Sequence, residues 1–404
     1  MQAARTNAWA PAEQAYSFRA EMAPSPTPTA RPDMSLLFQP LDIGGLRLAN
    51  RIVVAPMCQY SAVDGSATDW HLIHLGQLAE SGAGLLTIEA TAVTEDGRIT
   101  AGDLGLYSDA NEAALARVLD AVRPHATTRI GIQLAHAGRK ASSRVPWEGG
   151  TQVPLGDPGS WLAVAPSALA HAPGEQAPAA LDATGLARVR DAFAAAAARA
   201  ARLGLEFLEL HCAHGYLLHE FLSPLANRRE DAYGGSLENR MRFPLEVFDA
   251  VRAAFPPERP VWVRVSATDW VEGGWDGADT VAFVRALKAR GCAAVHASSG
   301  GVSPLQKIPL KPGYQVPYAR RLKEEVGLPT IAVGLITEPA HAESILAAGE
   351  ADAVALARAM LYDPRWPWHA AATLGATVQA PPQYWRSQPR EFKALFDGAS
   401  VGQR

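Results

Sequence analysis

A chain of 404 residues, 48% apolar and carrying a formal net charge of −4, can bury a large core as one big domain or two ordinary ones. Its acids and bases nearly balance without a basic patch, which argues against a nucleic-acid surface, and no uninterrupted apolar run is long enough to span a bilayer. Three scattered cysteines, Cys58, Cys212 and Cys292, supply no disulfide framework, iron–sulfur cluster or Cys-based zinc site, and point to a reducing cytoplasm.

Residues 1–33 differ from everything after them. Pro24-Ser25-Pro26-Thr27-Pro28-Thr29 is too polar and proline-rich to join a packed core, so 1–33 is expected to be a disordered extension and 34–404 the folded domain. From Arg51 onward, short apolar runs alternate with helical patterns, the signature of parallel strand–helix units. The strands predicted are Arg51–Pro56, Gly84–Glu89, Arg129–Leu134, Leu205–Leu210, Pro260–Val265, Ala293–Ala297, Pro329–Val333 and Asp352–Leu356. Helices are predicted near 71–82, 110–124, 184–203, 236–255, 277–290, 316–326, 338–349 and 364–375. Gly82, Gly204, Gly291, Gly327 and Gly349 stand where left-handed C-caps are wanted.

Repeated in this way, the units predict a closed (β/α)8 TIM barrel with its active site at the C-terminal ends of the strands. A doubly wound sheet would need a reversal of strand order that the pattern does not show. No Gly-x-Gly-x-x-Gly follows any strand, so no Rossmann site is expected. Polar and glycine residues gather at the strand ends: Met57-Cys58, Ala90, Gln133 with His136, His211 with His214, Arg264, Ser298 to Gly301, Gly334 and Arg358. The insertion at 144–178, after the third strand, is far longer than its connection requires and reads as a cap over the barrel mouth. Residues 376–404 follow the last helix as a C-terminal tail.

The stretch from Leu205 to Gly235 organises the site. An apolar strand runs into His211, His214 and Tyr216, so the loop after it should aim two imidazoles and a phenol at one point. Neutral imidazoles each donate one N–H, which suits an oxygen gaining negative charge. A phenol with an ordinary pKa near ~10 stays protonated at neutral pH and can deliver a proton. His-x-x-His allows a metal reading, but no third ligand presents itself; His219 reads as a structural residue.

With these residues laid out, the chain resembles the old yellow enzyme family of flavin-dependent ene-reductases, in the thermophilic-like branch that also contains xenobiotic reductases. The resemblance covers roughly 36–390. It rests on Ala55-Pro56-Met57-Cys58-Gln59-Tyr60, Gln133 through Lys140, His211 through Pro224, Asp231 through Arg240, and Gln383-Tyr384-Trp385-Arg386. It implies a tightly bound FMN, reduced by NADPH or NADH. Ala55, Pro56, Met57, Cys58 and Ala90 would line the isoalloxazine, Gln133 its pyrimidine edge, and Arg264 its N1 and O2. Ser298, Gly300, Gly301, Val333, Gly334, Ala357 and Arg358 would hold the phosphate. His211 and His214 would grip the oxygen of an enone or nitroalkene while Tyr216 protonates the α carbon, in a ping-pong cycle. Tyr60 and Lys140 would border the substrate, and Cys58 would tune the flavin.

The resemblance also implies a homodimer or tetramer in which Arg386, beside Trp385, completes a neighbour's pocket. Two departures stand out: Ala357 where glycine is common, and Tyr362 where relatives can carry a second arginine. The alternatives are a metal-dependent barrel hydrolase, which usually wants His-x-His where this chain has Pro56-Met57-Cys58, and a flavin reductase acting mainly on nitro compounds or quinones.

Overall fold

The apolar runs close on themselves. In the computed structural model, which describes residues 35–400, the barrel strands are Ile52–Val54 (β1), Leu85–Ala92 (β2), Arg129–Ala135 (β3), Leu208–Cys212 (β4), Val261–Ser266 (β5), Val295–Ser298 (β6), Thr330–Ala332 (β7) and Ala353–Leu356 (β8). All pair in parallel in chain order, and β8 returns to β1 through Val354↔Ile52. The expected extension 1–33 lies outside the described residues.

Asp69–Ala79 (α1), Asp109–Val122 (α2), Ala183–Arg202 (α3), Leu237–Ala254 (α4), Gly277–Lys288 (α5), Val316–Val326 (α6), Pro339–Ala347 (α7) and Trp366–Leu374 (α8) form the outer ring. Their boundaries follow local chemistry. The Asp182 carboxylate accepts from Gly185 N at 2.7 Å to start α3, and Asp276 starts α5 in the same way. All five glycines singled out as C-caps have φ between +67° and +84°. A hairpin, Leu41–Ile43 with Leu46–Leu48, sits against Pro260 and Ala293 at the entrance to β5 and β6, on the side away from the strand ends that carry the site.

Three features depart from the sequence pattern. Leu205 N still bonds Ala200 O in the exit turn of α3, so β4 starts later than predicted and His211 lies within the strand rather than in the loop after it. β2 runs longer, with a bulge between Ile88 and Ala90. The insertion expected to cap the barrel extends past 178, because Val164–Ala165 pairs with Ala179–Ala180. Tyr60 meets Trp147 of the cap edge-on at 5.8 Å, and the Arg139 guanidinium ties Leu169 O and Ala170 O of the cap to Val302 O beyond β6. Among the described residues no helix is long and apolar enough to cross a membrane.

Candidate active site

A strand turns alternate side chains to the barrel interior, and paired positions share a face. Gln133, Glu209 and Trp262 fall in register across β3, β4 and β5; His211, Arg264 and His296 fall in register across β4, β5 and β6. Branched apolar side chains dominate such interiors elsewhere. Here the upper layers are polar and closed on one carboxylate. Glu209 Oε1 accepts from Gln133 Nε2 at 2.7 Å, while Oε2 accepts from Trp262 Nε1 at 3.0 Å and His296 Nδ1 at 2.9 Å. Burial alone would raise this carboxyl, but His296, Arg264 and Trp262 bring it down to about 2.

Above this floor opens a cleft of about 490 Å³, walled by His214, Arg264, Ser299, Gly334, Thr337 and Arg358 among others. Arg264 Nε is buried without a hydrogen-bond partner. At the far end, Arg358 is exposed and has no ion-pair partner among the described residues. Gly334 takes φ +133°, a conformation that favours glycine, and a Cβ there would crowd Gln315 Nε2 at 3.1 Å, so the wall is bare backbone.

The catalytic candidates converge. His211 Nδ1 accepts from Ala213 N at 3.2 Å, which leaves the proton on Nε2. His211 Nε2 stands 3.4 Å from His214 Nδ1, and His214 Nε2 is 2.7 Å from Ser298 Oγ. His214 reaches this position with φ +59°. Burial, then Arg264, holds both imidazoles well below their ordinary range, so they are neutral. The Tyr216 ring lies edge-on to His211 at 4.9 Å, and burial pushes its phenol up, so it keeps its proton. Lys140 Nζ is 5.0 Å from that ring and donates to His214 O and Gly301 O; burial brings it down to about 8. Cys58 is pushed well up by burial and by the Asp103 and Glu89 carboxylates, and so remains a thiol. His219, read as structural, accepts from Gly215 N and sets its Nε2 3.0 Å from Asp269 Oδ1.

The sequence profile described as the NADH:flavin oxidoreductase / NADH oxidase family matches residues 36–376. The chain belongs to that family. Relatives include an NADPH dehydrogenase of Geobacillus thermodenitrificans, 44% identical over 87% of this chain and 98% of its own length, and one of Listeria innocua, 42% identical over 88% and 99%. Among solved structures, morphinone reductase superposes with a TM-score of 0.71 at 31% identity, covering 93% of this chain and 96% of its own. An old yellow enzyme homologue from Zymomonas mobilis does so at 0.67 and 26%, covering 82% and 91%.

As a member of this old yellow enzyme family the protein is an FMN-dependent oxidoreductase that draws on a nicotinamide reductant, and its residues fit the flavin. The unpartnered Arg264 guanidinium suits the ring edge that becomes anionic on reduction, and the free Arg358 beside the bare Gly334 backbone suits a phosphate. Val333, Ser298 and Ala357 also line the cleft. Gly300 and Gly301 do not: their amides go to Thr268 O and Gln306 Oε1. Ala55 continues β1 by donating to Leu356 O, which carries Pro56, Met57 and Cys58 onto the rim. Tyr60 and Lys140 share a separate hollow under the cap, and Arg386 is exposed in the turn Pro382–Ser387.

Sequence reading missed Glu209, Trp262 and His296, and did not foresee that Ser298 stands 2.7 Å from His214. A signal existed for the floor: polar residues two apart in otherwise apolar strands, Glu209/His211 and Trp262/Arg264, mark an inward-facing polar row. Nothing local marks Tyr314, Gln315 or Thr337 as cleft residues.

Proposed function

We propose that this enzyme reduces the activated C=C bond of α,β-unsaturated carbonyl or nitro compounds. The observation that carries the reading is the 3.4 Å approach of His211 Nε2 to His214 Nδ1. Ser298 Oγ–H donates to Gln315 Oε1 at 3.3 Å and its oxygen accepts from His214 Nε2 at 2.7 Å, which leaves His214 Nδ1 to accept from His211 Nε2. An oxygen entering between the rings would take the His211 Nε2–H, and the His214 Nδ1–H once that imidazole exchanges tautomer, so that two donors grip an oxygen gaining charge.

Bound FMN, reduced by NADPH or NADH, supplies the hydride that reaches the β carbon. The imidazole pair would polarise the conjugated system by holding its oxygen, and Arg264 would favour the reduced, anionic form of the flavin. Tyr216 gives its proton to the α carbon, so that a hydride and a proton together saturate the bond. The absence of a dinucleotide motif from the sequence supports a ping-pong order in which reductant and acceptor share one cleft. Three unpaired cysteines are in keeping with a cytoplasmic setting.

The same reading includes a homodimer or higher assembly. The outer face of α1 leaves Trp70 50% and Ile73 63% exposed, and nearby Tyr362 is 95% exposed. Arg365 joins this face to the tail, pairing with Glu80 and lying 4.7 Å from the Tyr384 ring. An exposed Arg386 on that tail is available to a neighbour. Sedimentation as a fully active monomer at assay concentration would exclude it.

The deciding experiment is the double variant His211→Ala/His214→Ala. Retaining its yellow FMN spectrum, it should reduce cyclohexenone at least about a thousandfold more slowly, since one such donor is worth about 10²–10³ in rate. Reduction at the parent rate overturns the assignment.

A further inference from the structure

Glu209 takes no part in the chemistry above, yet it is 1% exposed and accepts three side-chain donors. We propose that Glu209 is a positioning residue for the flavin ring: by taking an N–H of Gln133, it makes that amide present its carbonyl oxygen to the ring's imide edge. The inference rests on FMN lying in the cleft walled by Arg264.

An amide can turn end for end, but a carboxylate only accepts, so only the –NH2 end of Gln133 can face Glu209 at 2.7 Å. The carboxylate cannot swing away. Trp262 Nε1 and His296 Nδ1 hold its other oxygen, and the Trp262 ring is stacked on Phe207 at a centroid distance of 4.2 Å. Gln133 Oε1 accepts no hydrogen bond from the described residues, which leaves it for a ligand. The pyrimidine edge of an isoalloxazine carries an N–H between two carbonyls. Gln133 therefore offers an acceptor to the one donor on that edge, and the ion two bonds below decides that it does.

Substitution by glutamine separates this from mere support. In Glu209→Gln the carbonyl end must still face Trp262 and His296, both donors, so the new –NH2 faces Gln133. Gln133 must then turn over and present its own –NH2 to the flavin N–H, donor against donor. FMN affinity, measured by quenching of flavin fluorescence on refilling the apoprotein, should fall roughly ten- to a hundredfold. Gln133→Glu alone sets two carboxylates together and should also weaken binding. The exchanged pair, Gln133→Glu/Glu209→Gln, restores an acceptor toward the ring and the original net charge, and should return affinity to within about threefold of the parent.

Glu209→Gln binding FMN as tightly as the parent, or an exchanged pair no tighter than either single variant, overturns the proposal. If Glu209→Gln alone does not fold, the exchanged pair decides: a folded, tightly binding protein supports the proposal and loss of FMN overturns it. A parent that binds no FMN would overturn the flavin reading, and this inference with it.

Discussion

Glu209 and Glu220 stand on either side of the His211–Tyr216 loop, equally buried, and end in opposite states. Glu209 receives three donors on its two oxygens and is held down to about 2. Glu220, at 0% exposure in the short helix Leu217–Leu222, receives only Arg139 N at 2.8 Å; its Oε2 has no partner, and burial raises it to about 8 despite Arg139 and Lys140 nearby. Depth does not decide the charge. The number of donors aimed at the oxygens does, because each replaces part of the hydration the carboxylate gave up. The floor of the site thus carries a fixed negative charge below Arg264, while Glu220 is mostly protonated at neutral pH.

The residue between them should show the largest effect. Tyr216→Phe is expected to slow acceptor reduction by about 10²–10⁴ while leaving FMN reduction by NADPH near the parent rate, as stopped-flow half-reactions would resolve. Next comes a direct contrast in chemical denaturation. Glu209→Leu leaves three buried donors without an acceptor and should cost about 3–5 kcal/mol, whereas Glu220→Leu loses one hydrogen bond and should cost about 1 kcal/mol. Equal losses would break the comparison.

Dependence on pH should run in opposite directions. The folded pKa of Glu220 lies above its unfolded value near ~4.5, so its contribution is full below that value and is lost as pH rises toward about 8. Glu220→Gln should therefore melt increasingly above the parent between pH 5 and 8. The folded pKa of Glu209 is depressed, so its contribution is present above ~4.5 and is lost as pH falls toward about 2. The stability gap between parent and Glu209→Gln should close over that acid range. Trp262→Phe should have the smallest effect: it keeps an aromatic ring over Phe207, removes one of the three donors, and should cost about 1 kcal/mol by thermal melting.

Much of this was legible in the chain alone, for identifiable reasons. Strand and helix periodicity fixed the order of the barrel, because each unit announces itself through apolar spacing and a terminal glycine. His211, His214 and Tyr216 lie within six positions of one another, so one loop brings them together whatever the rest does. Glu209 escaped notice because one acid in an apolar strand resembles a tolerated defect until its partners on β3, β5 and β6 are in view.

The amino-acid sequence by itself determined the family, the eightfold architecture and the grouping of His211, His214 and Tyr216, since those depend on short-range spacing and recurring motifs. Only the tertiary structure decided which way Gln133 faces, that Ser298 stands against His214, and which of two buried glutamates keeps its charge. Those outcomes depend on donors and acceptors from strands far apart in the chain, meeting at hydrogen-bond distance where water cannot substitute for them.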